Sequence, residues 1–229
     1  MHLQGSASWR FGHGDMGYLH TALFVRDAAR LPVAPSADIP PPLAGDVPDC
    51  SDVVLPGERA EAGQQWAAWW QRLVSQATRE ARQSWTPLPA ATDPDDFHAR
   101  IRHRFAGQEE VFDPPAFGSL ADMPSMQTAA ISTLGPSRQW SHSRRDGASD
   151  PDRFGGPVVR DAARTAVAEL GVPARDLTGY AHVLDVEGSW SYLAGPGCAL
   201  CSAAVACDPS AAAALLRDIF ASGLGPLVS

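Results

Sequence analysis

The chain has 229 residues, 45% of them hydrophobic, and its 18 basic and 26 acidic side chains give a formal charge of -8. That length can bury a sizeable core and falls between one large domain and two small ones, while the acidic balance opposes non-specific attraction to nucleic acid or anionic lipid. No apolar run approaches the roughly 18 to 20 residues needed to span a bilayer, and the N-terminus lacks a basic stretch followed by an apolar one, so the expected address is the cytoplasm, away from membranes.

All the basic residues are arginine and asparagine is absent, the bias of a GC-rich bacterial genome. Arginine abundance therefore says little about phosphate binding. Three of the four cysteines crowd into Cys198 to Cys207, which is not the spaced framework of a secreted disulfide protein, and reduced thiols are expected.

Taken in order, the first sixteen residues are polar and glycine-rich, with Trp9 and Phe11 as the large anchors. Gly12-His13-Gly14-Asp15-Met16-Gly17 matches G-x-G-x-x-G. The dinucleotide chemistry of that pattern needs a buried strand before it, a helix after it and a parallel strand about 30 residues on. Arg10 in the preceding segment and the proline-rich run that follows argue against it, and loop glycines are the expectation. Tyr18 to Arg26 reads as a strand with Tyr18, His20, Ala22 and Phe24 on one face, or as a short helix; periodicity does not choose. Seven prolines between Leu31 and Pro56 predict an extended arm lying on the protein's own surface or offered to a partner.

A helix is predicted over about Glu58 to Gln83, with Trp66, Trp69, Trp70, Leu73, Val74, Ala77 and Ala81 on one side. The three tryptophans read as a core nucleus. Thr92-Asp93-Pro94 announces a second helix to about Phe105, acidic at its start and basic at its end, as the helix dipole favours. It carries Arg100, Arg102 and Arg104. A short helix from Met123 to Leu134 is expected to stop at Gly135-Pro136, and Pro136 to Gly156 has the composition of a polar linker. Its Arg138, Arg144, Arg145 and Arg153 would suit an acidic partner or a phosphate.

Beyond the linker the pattern predicts a helix from Pro157 to Leu170 capped at Gly171, strands over Tyr180 to Glu187 and Ser189 to Ala194 around Gly188, a third over Cys198 to Cys207, and a last helix capped by Asp208 or Ser210. The fold class is thus α+β: a helical N-terminal lobe (1–135) with a proline-rich arm, a linker (136–156), and a C-terminal α-β-β-β-α unit (157–229) with a small antiparallel sheet. The N-terminal lobe is expected to pack on that sheet, with Tyr18 to Arg26 as a candidate extra strand.

The C-x-x-C-x5-C of Cys198, Cys201 and Cys207 is the one chemical signature. With His182 it could hold zinc, which asks for four converging thiolate or imidazole ligands. On a strand, however, Cys198 and Cys201 point to opposite faces. Neither a thioredoxin-like pair at a helix N-terminus nor a deaminase signature fits the flanking residues. There is no nucleophile elbow, P-loop, H-E-x-x-H or calcium loop. The expectation is a non-enzymatic accessory or protein-interaction protein with a protein partner and no resident cofactor. Its candidate contacts are Arg100, Arg102, Arg104, Arg144 and Arg145. The rival is a small zinc-binding or thiol-dependent enzyme using the cysteine cluster.

Overall fold

Residues 18–26 are all buried, the polar His20, Thr21 and Arg26 included, and a helix satisfies the backbone groups of such a segment within itself. Helix α1 spans Gly17–Ala28, with every residue from Tyr18 to Val25 buried. The strand at this end of the chain is the preceding one, β1, Arg10–Gly14. The computed structural model describes residues 8–85, 107–145 and 153–224; the expected helix from Thr92 to Phe105 lies outside them.

Helix α2 spans Arg59–Gln83 and buries Trp66, Trp69 and Trp70 completely. Each indole N–H finds a backbone carbonyl, from Trp66 to Ala22 at 2.7 Å, Trp69 to Val111 at 2.9 Å and Trp70 to Asp38 at 3.0 Å. The polar edge of each ring is thereby satisfied inside the core. Helix α3 spans Pro124–Arg145 and runs through Pro136. The expected stop at Gly135-Pro136 therefore does not occur, and residues 136–145 of the expected linker are helix. A proline inside a helix forfeits a hydrogen bond, but the turns beyond it bury Ser137 and Trp140, with Trp140 ring to ring with Phe24 at 5.7 Å. That packing outweighs the break.

Helix α4 spans Gly156–Leu170 and ends on Gly171 at φ 64°. Strand β2 is Thr178–Leu184, β3 Ser191–Gly195 and β4 Cys198–Ser202. The third strand is shorter than expected: Ser202 caps helix α5, Ala203–Cys207, by accepting from the Val205 N–H. The alanine-rich run that follows is a strong helix former. Asp208 then caps α6, Pro209–Gly223, accepting from the Ala211 N–H at 2.7 Å.

The sheet order is β1-β2-β4-β3. β1 runs parallel to β2 with Arg10 opposite Thr178, β2 parallel to β4 with Tyr180 opposite Cys198, and only β3 and β4 are antiparallel. The α+β class holds with a mixed sheet in place of an antiparallel one. β4 is buried at every residue, the character of a central strand, and the partly exposed β3 takes the edge.

The chain divides into two compact units. One holds the described parts of Met1–Asp15, Ala81–Trp85 and Asp150–Ser229, so β1 belongs with the C-terminal sheet. The other holds those of Met16–Glu80 and Thr86–Ser149. In the sheet unit, Ala181, Val183, Ala199 and Cys201 share a core with Phe154, Val159, Leu216, Ile219 and Phe220 of the flanking segment and helices, and Phe11 packs on its margin. In the helical unit Arg26 lies 5.3 Å over the Trp66 ring and donates to the carbonyls of Pro40, at 2.6 Å, and Pro41, at 2.8 Å. Asp27 accepts from the Leu43 N–H at 2.7 Å. The proline-rich arm is thus bonded to its own unit.

Candidate functional site

The alternation of β4 divides the cysteines. Cys201 lies in the core with Ala199, whereas Cys198 takes the opposite face of the sheet, the face that carries Tyr180 and His182 on β2. Cys198, Cys201 and His182 are all completely buried. The sulfurs of Cys198 and Cys201 therefore cannot converge on one ion. Cys207 ends α5 and is near enough to Cys201 to influence its ionisation, as is Arg153. Burial pushes the Cys201 thiol up to about 12, with a smaller raising effect from Cys207 against a lowering one from Arg153. At neutral pH it is a protonated apolar group and not a nucleophile. Cys50, half-buried, is likewise raised by burial and then by Asp52 and Asp49. No group of three or more potential ligands gathers among the described residues.

Polar groups also collect near the carboxyl ends of the parallel strands. Arg153 bonds Asp185 at 3.2 Å, just beyond β2. His13, on β1, rests against Phe154 at 5.6 Å. Its imidazole pKa is lowered by partial burial first and by Arg153 second, which keeps it neutral. With the neighbouring thiol protonated, this cluster supplies no activated nucleophile.

The G-x-G-x-x-G segment does run from the end of a strand into a helix, contrary to the expectation of a loop without that context, and β1 does have a parallel neighbour. Gly12 and Gly14 nevertheless serve packing. A Cβ on Gly12 would sit 3.0 Å from the Tyr180 ring and 3.2 Å from Trp85, and one on Gly14 would sit 3.0 Å from the Tyr180 hydroxyl. The Tyr180 ring thus lies against the first two glycines of the pattern and leaves the third, Gly17, open.

A cleft of about 430 Å³ opens in the helical unit between the first turn of α1, the segment around Phe112 and the second half of α3. Gly17 lies at its α1 wall. Ser137, Arg138, Ser141 and His142 line the α3 wall; spaced one and four apart, they share one helix face. Phe112, Pro114 and Leu134 supply apolar surface. Phe112 is braced by Tyr18 at 5.9 Å, Phe117 at 5.6 Å and the parallel Trp69 ring at 6.4 Å, so the tryptophan-rich helix stiffens the cleft. The Tyr18 hydroxyl donates to Glu80 at 3.2 Å, and the Gln76 amide donates to the same carboxylate at 2.8 Å. Burial holds the Glu80 carboxyl above the ordinary range against those bonds.

Of the arginines expected to make contacts, Arg100, Arg102 and Arg104 lie outside the described residues, as does the side chain of Arg145. Arg144 is tied inward, donating to the Ala44 carbonyl at 2.7 Å and lying 5.1 Å over Trp140. Arg138 is exposed at the cleft. Ser137 and Ser141 escaped the sequence reading, because their grouping depends on α3 continuing past Pro136, and Gly17, read as a loop glycine, opens α1 instead.

Fold and site together define an α+β protein with Cys198 and Cys201 on a buried strand and a polar cleft in its helical unit. Comparison with protein-family models, curated proteins and solved structures found no match. Among the described residues no helix is long and apolar enough to cross a membrane.

Proposed function

We propose that this is a non-enzymatic accessory protein, cytoplasmic and acting by binding, with the α1–α3 cleft as its recognition element. The observation that carries the reading is the make-up of that cleft: a braced apolar wall facing serine, arginine and histidine side chains, with no carboxylate among the lining residues. Binding sites combine apolar surface with a few placed polar groups in this way. An amide NMR screen of the intact chain against small fragments tests it. Hits should move the resonances of Gly17, Phe112, Ser137 and Ser141 together. Turnover of a defined substrate, lost on substitution of one cleft residue, would replace binding with catalysis.

The rival, a zinc-binding or thiol-dependent enzyme built on Cys198, Cys201 and Cys207, has opposed sulfurs and a protonated Cys201 against it. Elemental mass spectrometry with native thiol titration separates the two. Stoichiometric metal, or a Cys201 that reacts quickly in folded protein, would favour the rival.

A further inference from the structure

We infer that the cleft takes an oxyanion, a carboxylate or phosphoryl group, seated against the opening turn of α1 and drawn there by Arg138. The inference rests on the cleft being the recognition element and assigns its ligand chemistry. Four observations converge. First, α1 starts without a capping side chain and without an acidic residue in its first turn, so its positive end and the Gly17 amide are left for an external acceptor. Second, Ser137 is 1% exposed and lines the cleft, and its side chain makes no hydrogen bond among the described residues. A ligand oxygen in the cleft would accept from its hydroxyl. Third, Arg138 and His142 are the ionisable groups of the lining with basic character, and no Asp or Glu joins them in a chain of net charge -8. Fourth, a Cβ on Gly17 would meet nothing within 4 Å, so the backbone there is open to close approach.

The chemistry is that of charge-assisted hydrogen bonding: backbone N–H and serine hydroxyl donate to the oxygens, and the guanidinium neutralises them. Carboxylate and phosphoryl groups share it, and the choice between them is a matter of geometry and charge.

Amide NMR titrations of the intact chain with inorganic phosphate, acetate, neutral acetamide and benzyl alcohol, at constant ionic strength, test the inference. Phosphate or acetate should give saturable shifts at Gly17, Ser137, Arg138 and Ser141, and the tighter of the two names the group. Arg138→Gln should weaken that binding about tenfold or more. Gly17→Leu, which fills open space and not the core, should block it. Arg164→Gln on exposed α4 should leave it unchanged. Absence of saturation by both anions, or unaltered affinity in Arg138→Gln, overturns the oxyanion assignment. Shifts with benzyl alcohol alone overturn it while keeping the cleft as the binding element; no response to any probe overturns both.

Discussion

Cys201 carries the sharpest residue-level consequence of the fold. Its thiol is pushed up to about 12 in the folded state, against the ordinary 9.0. The unfolded chain therefore sheds this proton first as pH rises, and the stabilisation present below about pH 9 is lost as pH climbs toward 12. Between those values Cys201 should reduce stability by about 1.4 kcal/mol per pH unit. Denaturant titrations from pH 8 to 11 should show the slope in the wild type and a shallower one in Cys201→Ala. Thiol labelling at pH 8 should modify Cys50 and Cys207 in native protein, and Cys198 and Cys201 only after unfolding. The glycines give a second contrast. Gly12→Ala crowds the Tyr180 ring and should cost about 1 to 3 kcal/mol, whereas Gly17→Ala enters open space and should be close to neutral in the same unfolding assay.

At the scale of elements, α2 is where sequence and structure agree best. Its apolar stripe was legible because three tryptophans at helical spacing leave no other way to bury them. Trp66→Ala should lose about 3 to 5 kcal/mol in chemical denaturation. Asp208 was one of the two caps read for the last helix, and Asp208→Ala should cost about 1 kcal/mol. Two signals misled. Gly135-Pro136 reads locally as a helix end, but the burial of Trp140 against Phe24 carries α3 through it, and with that run came Ser137 and Ser141. Cys198 to Cys207 reads as one strand of small residues, but the Ser202 hydroxyl and the alanines after it turn the second half into α5. The divergence of Cys198 and Cys201 survives, since it depends only on strand alternation. Tyr18 to Arg26 has no usable period because every face of it is buried.

For the whole molecule, the least legible feature is the parallel pairing of β1 with β2. Arg10 meets Thr178 with most of the chain between them, and no local pattern encodes such a partner. The sheet unit therefore depends on both ends of the sequence. Removing residues 1–15 should leave the β2 backbone unpaired along one side and expose apolar core, so the truncated protein should be destabilised and prone to aggregate. A sedimentation measurement beside the intact chain checks this. The cleft was legible only in part: Arg138 was singled out as a contact for an acidic group, but its companions come from α1 and the segment around Phe112, distant in sequence.

Anomalous diffraction from crystals of the intact chain soaked in selenate tests the assignment of recognition to the cleft most directly. A selenium peak within about 4 Å of the Gly17 amide nitrogen and the Arg138 guanidinium is predicted, with its oxygens at hydrogen-bond distance. Selenate at other surface arginines with the cleft empty would contradict it.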